Sequence, residues 1–489
     1  MLDSSVALMD SRQTASVDRR TRWSLRCGIS CGVWLFMAIL SCDTLLSEQP
    51  PTVPDPRWWK GNLQTQSYWS DGDLMPEDVL IWYREHGFHF VALSDHDRPQ
   101  FGDRWKRVAA QDNPEDAWKT VHPEILEQYR RGHGDEWVET RERDGSLEVR
   151  LKPMTELAPR INVAGEFLVM PSHQIHSHVR DADGKVLPQN PGTAWLDIAN
   201  SHIPIVPASS TSPVDAFQKT VNRVQDYAKT SGRRILLGLA HPNYDWGLTA
   251  EDIVSIDGIR FMEVYTALSF CNSQGDEVRP SVERVWDIVL TRRLEELNKP
   301  ILFGLASDDA HTFQALPGMR SWGRPGRGWI SVRCRFLTPE SIFAALDRGD
   351  FYASSGVVLK DVRATEKSLS VTIDAQKGVR YVTEFVGTRR GYDRRSEERL
   401  DAAGKAVRTT KRYSADIGIV LKRAESRTAS YRFRGDEIYV RARITSSRPH
   451  PDPSWLGQAE CAWTQPVVPR CAQARSSSLN PLRARRFPD

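Results

Sequence analysis

The sequence predicts an α/β protein in which a parallel sheet or barrel is followed by a small antiparallel β-sandwich. The first observation is that short apolar runs alternate with helical patterns from about 60 to 356, as they do in parallel α/β folds. The second is that apolar residues recur at every second position after Gly356, where helical patterns become scarce, which is typical of antiparallel sheets. The composition, with 40% hydrophobic and 26% charged residues, is that of a globular protein.

The first 47 residues have the pattern of an export segment. Five arginines between Arg12 and Arg26 precede an apolar run from Cys27 to Leu46, which is the layout of a secretory signal. The stretch ending at Cys42 resembles a bacterial lipoprotein cleavage site, while the length of the run also fits an uncleaved membrane anchor. We therefore expect export to a bacterial-type periplasm or cell envelope, with membrane contact only through this segment. Residues 48–57 are rich in proline and are expected to form a linker.

The region 58–356 is predicted to form the α/β domain, and 357–468 the β-rich domain. In the α/β domain, buried parallel strands are expected at Phe88–Leu93, Glu166–Met170, Ile235–Ala240, Ile259–Tyr265 and Ile301–Ala306. Its helices are expected at Pro76–Glu85, Pro213–Thr230, Val282–Leu297 and Pro339–Leu346. Strands of the second domain are expected at Ser368–Asp374, Arg380–Val386 and Glu437–Ile444. The arginine-rich stretch 469–489 is expected to be a disordered tail.

Charge, cysteines and motifs exclude several classes of protein. A net charge of +3 over 489 residues gives no reason to expect a nucleic-acid partner. The cysteines beyond the export segment form no CxxC pair, which argues against a zinc ribbon; Cys461 and Cys471 either form a disulfide or remain thiols. No Gly-x-Ser-x-Gly, P-loop or Rossmann pattern is present, so serine hydrolase, NTPase and dehydrogenase functions lack support.

Metal-capable side chains follow the predicted strands at four places. These are Ser94–Asp97, the cluster between His173 and His178, Ala240–Asn243 and Asp308–His311. Strand ends on one face of an α/β barrel converge, so separate loops can build one site there. Imidazole nitrogen and carboxylate oxygen suit Zn, Mn or Fe. The sequence therefore predicts a divalent metal site.

Several of these motifs resemble the PHP (polymerase and histidinol phosphatase) superfamily. The resemblance lies in Gly61–Ser67 (GNLQTQS), Ser70–Gly72 (SDG), Ser94–His96 (SDH), His241–Tyr244 (HPNY) and Asp308–His311 (DDAH). With further motifs it covers roughly 58–468 and is greatest to the exported carbaryl-hydrolase-like metallohydrolases. It implies a distorted (β/α)7 barrel with up to three metals at its mouth. It also implies hydrolysis of a phosphoester, ester or amide bond by metal-activated water.

The resemblance also implies a set of ligands. One metal would be held by Asp71, His96 and His311. A second would use Asp309 and three positions at which the family has His, His and Glu but this chain has Gln64, Gln66 and Gln174. A third would use His241, with its partner falling near Asp197. Since a glutamine amide binds Zn poorly, we expect fewer ions than the family's full cluster, with Asp309 and His241 assisting catalysis.

Other residues leave alternatives open. His173, His176 and His178 either replace the missing ligands or form a solvated polar loop. Glu263 either orients a ligand histidine or forms an ordinary ion pair, and Arg327 either meets an anionic substrate or caps its own loop. The functional hypothesis is an exported hydrolase of a small-molecule substrate. The alternative is a catalytically inactive protein of the same fold that binds a ligand or partner.

Overall fold

A computed structural model describes residues 53–111, 114–180, 183–185, 194–314, 323–401 and 403–469. Within them the strands are β1 (Arg57–Asn62), β2 (Phe90–Leu93), β3 (Arg104–Arg107), β4 (Thr140–Arg143), β5 (Ser146–Leu151), β6 (Leu168–Val179), β7 (Ala194–Ala199), β8 (Ser209–Ser210), β9 (Leu236–Ala240), β10 (Phe261–Thr266), β11 (Phe303–Ser307), β12 (Trp329–Cys334), β13 (Phe351–Ser354), β14 (Leu359–Ala364), β15 (Ser368–Ile373), β16 (Tyr381–Arg389), β17 (Ser396–Glu397), β18 (Arg412–Tyr413), β19 (Ile419–Ala424), β20 (Thr428–Arg432), β21 (Glu437–Pro449) and β22 (Ala459–Thr464). The α-helices are α1 (Pro76–Glu85), α2 (Pro123–His133), α3 (Met154–Ile161), α4 (Pro213–Ser231), α5 (Ala250–Ser255), α6 (Val282–Thr291) and α7 (Pro339–Arg348).

Three predictions concern parts of the chain that are not described. The export segment 1–47 with Cys42, the tail from Arg470 with Cys471, and the side chain of His178 are not described. Among the residues that are described, no helix is long and apolar enough to cross a membrane. The described residues from Pro54 onward form one compact unit.

The four predicted helices are present, with α6 continuing after Thr291 as a π-helical turn (Arg292–Glu296), and three of them begin at a capping side chain. Ser212, Ser281 and Thr338 each accept a backbone N–H with the side-chain oxygen, which begins α4, α6 and α7. Gly232 and Gly349 adopt left-handed conformations with φ of 68° and 74° just after α4 and α7, where glycine ends a helix without steric cost. Local signals in the sequence therefore set these boundaries.

The principal sheet has 14 strands among the described residues. Its order is β11-β10-β9-β7-β6-β2-β1-β12-β13-β22-β21-β16-β19, with β8 beside β6. Strands β9, β10 and β11 pair in parallel, as do β1, β2 and β6. All five predicted apolar runs are among these strands, so the prediction of buried parallel strands is confirmed. The chain is accordingly a mixed α/β protein.

Among the strands that were not predicted, β7 changes the local topology. Strand β7 lies between β6 and β9 and is antiparallel to both. Farther along, a parallel bridge joins Thr65 to Ala310, and Gln66 N donates to Ala310 O at 2.8 Å. This bridge places the segment that follows β11 beside the segment that follows β1. The polar residues after several strands therefore face one another.

The C-terminal strands extend the same sheet. Strand β13 pairs with β22, β22 with β21, β21 with β16, and β16 with β19, all antiparallel. A second sheet of β14, β15 and β20 shares a buried apolar cluster with them, which includes Val371, Phe385 and Ile444. One sheet thus crosses the domain boundary expected at 356. The distorted barrel and the separate sandwich remain predictions.

Candidate metal centre

Three of the predicted ligands converge on one point. Asp71 lies in the loop between β1 and α1, His96 follows β2, and His311 follows β11. His96 Nε2 is 3.2 Å from His311 Nε2 and 3.4 Å from Asp71 Oδ1, and His311 Nε2 is 3.6 Å from Asp71 Oδ1. Among the described residues, this is the one group of three His, Cys, Asp or Glu ligand atoms that lie within 4.8 Å of one another. We call it the Asp71 triad.

The spacing of the triad matches the edges of a metal coordination shell. Ligands about 2.0–2.1 Å from a tetrahedral zinc ion lie roughly 3.3–3.4 Å from one another, close to the three distances observed. His311 Nδ1 donates to the backbone oxygen of Asp309 at 2.7 Å, so Nε2 carries the lone pair, as in a ligating histidine. The side chains of Asp71 and His96 are 25% and 20% exposed, which leaves that side of the site open to solvent. The triad fits a divalent cation.

A second group of side chains lies beside the triad and is joined to it through Asp309. Gln66 Nε2 donates to Asp309 Oδ1 at 3.4 Å, and His241 Nε2 is 3.9 Å from Asp309 Oδ2. Gln174 Nε2 lies 3.3 Å from His241 Nε2. We define the glutamine compartment as Gln64, Gln66, Gln174, Asp197, His241 and Asp309.

Burial shifts the charge states of this compartment toward neutrality. Desolvation, together with the charge of Glu263, raises the pKa of Asp309 and of Asp197 well above the usual range. Desolvation also lowers the pKa of His241 to about 3 and raises the pKa of Glu263 to about 7. Buried carboxylic acids with raised pKa values and neutral imidazoles avoid the large cost of isolated buried charge. The compartment therefore carries less negative charge than it would with both aspartates ionised.

The glutamine compartment does not fit the second and third metals that the family resemblance implies. Three of its residues offer neutral amides, and the described residues contain no second cluster of His, Cys, Asp and Glu atoms at ligand spacing. Several polar atoms there are buried without a hydrogen-bond partner among the described residues: Gln64 Nε2, Gln66 Oε1, Gln174 Oε1, Asp197 Oδ1 and His241 Nδ1. Such atoms are normally satisfied by water or a ligand, so the compartment is a buried, incompletely hydrogen-bonded polar cluster beside the Asp71 triad.

The histidines of β6 separate onto two faces. Because side chains alternate along a strand, His173 points away from Gln174 and His176. It accepts from Ile205 N at 3.3 Å, and burial lowers its pKa to about 4. His176 Nδ1 lies 3.0 Å from Asp97 Oδ2. Neither histidine joins the Asp71 triad, and the backbone of His178 pairs with Ser209.

Glu263 and Arg327 make contacts within the protein. Glu263 Oε2 accepts from the backbone N of His241 at 2.7 Å and from Thr266 Oγ1 at 2.6 Å, and Ser307 Oγ also donates to Glu263. It therefore fixes the backbone at His241. The guanidinium of Arg327 donates from Nη2 to Ser454 Oγ at 2.8 Å and from Nε to Asp452 O at 3.0 Å. Arg327 thus joins its loop to the C-terminal region.

Trp195, which was not predicted to be a site residue, forms one side of the site. The ring of Trp195 lies 4.9 Å from that of His96, 4.5 Å from that of His176 and 5.8 Å from that of His241, measured between centroids. The ring of Tyr244 lies 5.3 Å from that of His241 and 6.4 Å from that of Trp195. The sequence did contain a signal for this position, since Trp195 is two residues before Asp197 and therefore lies on the same face of the strand.

Comparisons with known proteins do not identify the chain. No protein-family model matches it, and no curated protein matches it significantly. Among solved structures it is similar to a two-domain protein from Bacteroides vulgatus ATCC 8482 that contains a predicted PHP-like metal-dependent phosphoesterase. That likeness has a TM-score of 0.34 and 12% sequence identity, and it covers 80% of this chain and 92% of the other. Because this TM-score is too low to establish a shared fold, the site is assigned from the side chains of this chain alone.

Proposed function

We propose that the chain is a metal-dependent hydrolase with one divalent ion, Zn, Mn or Fe, at the Asp71 triad. The observation that carries the proposal is the triangle of two imidazole nitrogens and one carboxylate oxygen with sides of 3.2, 3.4 and 3.6 Å. Two imidazoles and a carboxylate leave coordination positions open, as in catalytic rather than structural zinc sites. The substrate would be a small molecule with a phosphoester, ester or amide bond.

The residues around the triad have distinct roles in this proposal. When bound, a divalent ion supplies Lewis acidity, which polarises a phosphoryl or carbonyl oxygen and makes water a better nucleophile. His311 is held in the ligating tautomer by its hydrogen bond to Asp309 O. The partly exposed faces of Asp71 and His96 admit the substrate, and the Trp195 ring limits its approach from one side. Asp309 and His241 form the polar wall behind the reacting atoms.

The hydrolase proposal is tested by assaying chromogenic phosphomonoesters, phosphodiesters, carboxylate esters and anilides. The full chain would be stripped of metal and then supplied with Zn, Mn or Fe in turn. We expect turnover of at least one bond class that depends on added metal and is lost again on chelation. Metal binding without turnover of any class would instead favour the alternative, an inactive protein of this fold that binds a ligand or partner.

Replacing His241 with alanine separates metal binding from the chemistry. His241 Nε2 faces Gln174 and Asp309 and is not one of the triad ligands. We expect His241→Ala to keep one metal per chain while kcat falls by roughly 10²–10³, the usual effect of removing one polar group that stabilises a transition state. The two readouts are elemental analysis and steady-state kinetics. Loss of the metal together with the activity would mean that His241 is a ligand and that the centre extends into the glutamine compartment.

We also propose that the protein acts outside the cytoplasm. This rests only on the arginines before the apolar run from Cys27 to Leu46. Cell fractionation of the full chain, and of a chain that begins at residue 48, tests it. Only the full chain should reach the envelope or periplasm. Equal distribution of the two chains would contradict export by this segment.

A further inference from the structure

The loop that carries Asp71 is tied to the segments that carry the other two ligands. We define the Asp71 loop as residues 66–73, between β1 and α1. The three ligands of the triad come from parts of the chain that are distant in sequence. Their common geometry therefore depends on whatever fixes these segments to one another. The hydrogen bonds of two buried carboxylates, Asp95 and Asp73, fix them.

Asp95, the residue before His96, accepts five hydrogen bonds. Its Oδ1 accepts from Ser67 N at 2.8 Å, from Ser70 N at 3.0 Å and from Ser70 Oγ at 2.7 Å. Its Oδ2 accepts from Ser67 Oγ at 2.9 Å and from Gln100 Nε2 at 2.7 Å. Asp95 is completely buried. Four of its five donors belong to the Asp71 loop, so this carboxylate joins the segment of His96 to the loop of Asp71.

Asp73 makes the corresponding connection to the third ligand. Its backbone N donates to the backbone oxygen of His311 at 3.0 Å. Its side chain accepts from Phe313 N at 2.8 Å and from Gln314 N at 3.3 Å. Asp73 is 5% exposed, so these bonds are shielded from water. The Asp71 loop is thus fixed on one side to the His96 segment and on the other to the His311 segment.

Two further features hold the loop in this shape. Lys106 Nζ donates to Tyr68 O at 2.8 Å and to Ser70 O at 3.2 Å. Gly72 closes the turn, since its N donates to Ser67 O at 3.0 Å and a Cβ at this position would lie 2.7 Å from Gln66 O. The loop therefore has little freedom to move Asp71.

We propose that Asp95 is a positioning residue that sets the metal affinity of the Asp71 triad, with Asp73 and Lys106 in the same role. Asp95 contacts neither substrate nor metal. It acts by presenting Asp71 Oδ1 to the two imidazoles before the metal binds. Ligands held in place by outer hydrogen bonds bind metal more tightly than mobile ones, and loss of such a partner typically weakens affinity about 10–100-fold. The inference rests on the proposed metal centre.

The test compares cobalt binding to the full chain and to variants at Asp95. Co²⁺ is the probe, because its visible absorption reports the geometry of its ligands as well as its occupancy. We expect Asp95→Ala to raise the Kd for Co²⁺ about 10–100-fold and to change the visible bands. The Kd of Asp95→Asn for Co²⁺ should lie closer to that of the wild-type chain. In this variant Oδ1 still accepts three donors, and Gln100, whose Oε1 has no partner among the described residues, can rotate its amide to accept from the new NH₂ group.

Two other variants separate positioning from folding. Glu437 is a buried carboxylate in β21 that also accepts from a hydroxyl and from backbone amides. Glu437→Gln should lower the melting temperature without changing the Kd for Co²⁺. If Asp95→Ala does not fold, Lys106→Met replaces it, because this change removes the bonds to two loop carbonyls with little change in volume. We expect it also to weaken Co²⁺ binding.

The outcomes distinguish this inference from the proposed function. An unchanged Kd in a folded Asp95→Ala or Lys106→Met chain would overturn the positioning role and leave the hydrolase proposal intact. If Asp95→Asn lost as much Co²⁺ affinity as Asp95→Ala, the positioning role would also be overturned, since the effect would then come from the charge of Asp95 rather than from its hydrogen bonds. If the wild-type chain binds no Co²⁺, both the inference and the proposed function fail.

Discussion

Replacing His96 with alanine should abolish metal-dependent hydrolysis. His96 supplies one of three converging ligand atoms, at 3.2 Å from His311 Nε2 and 3.4 Å from Asp71 Oδ1. Without it, two protein ligands remain, too few for a stable zinc-type site. The loss of affinity should exceed the roughly 10–100-fold effect of losing an outer hydrogen-bond partner. At metal concentrations that saturate the wild-type chain, the rate of hydrolysis by His96→Ala should therefore match that of the metal-stripped wild-type chain.

A histidine remote from the triad provides the control. His133 lies at the end of α2, and its Nε2 is 2.8 Å from Asp78 Oδ1, so it also forms a pair with an aspartate. His133→Ala should retain both metal and turnover. If His96→Ala keeps wild-type metal content, or if its activity equals that of His133→Ala, then the triad is not the catalytic metal site.

Replacing Asp287 with alanine should cause the largest loss of stability. Asp287 on α6 accepts from Tyr439 Oη at 2.7 Å and from Arg441 Nε and Nη2 at 2.8 and 2.7 Å. Arg441 on β21 is 1% exposed, and among the described residues it would keep only Glu283 as an ionic partner. Breaking a buried ion pair by removing one partner costs about 3–5 kcal/mol, because it leaves a buried charge poorly compensated. Guanidinium unfolding of the full chain measures this free energy.

The matched comparison is an exposed ion pair in the C-terminal region. Glu398 lies 2.8 Å from Lys411, and both side chains are well exposed. Glu398→Ala should change the free energy of unfolding by less than about 1 kcal/mol, since solvent screens such pairs. If Asp287→Ala lowered the free energy of unfolding by no more than Glu398→Ala does, the contact between α6 and β21 would not stabilise the fold.

Local patterns and the family resemblance together named Asp71, His96 and His311, and the structure brings one ligand atom of each within 4.8 Å of the others. The apolar runs that become β2 and β11 are continuous, and His96 and His311 follow them directly. The helix caps at Ser212 and Thr338 are equally local, so the bounds of those helices could also be predicted.

Features that depend on long-range pairing could not be predicted. Strand β7 is a short segment whose antiparallel position is set by β6 and β9 on either side. The face on which His173 lies follows from the register of β6. The role of Asp95 depends on donors about 25 and 28 residues earlier, at Ser70 and Ser67. Nothing in the neighbouring sequence distinguishes such a carboxylate from a metal ligand.

The most direct test of the central claim is the metal content of the full chain by elemental analysis. The chain would be purified without chelator and dialysed against metal-free buffer before measurement. A single centre at the Asp71 triad predicts about one Zn, Mn or Fe per chain, because the glutamine compartment offers amides where further metals would need histidine or carboxylate. Two or more ions per chain would contradict the single centre, and a folded chain that retains none and takes up none would contradict the metal-dependent function.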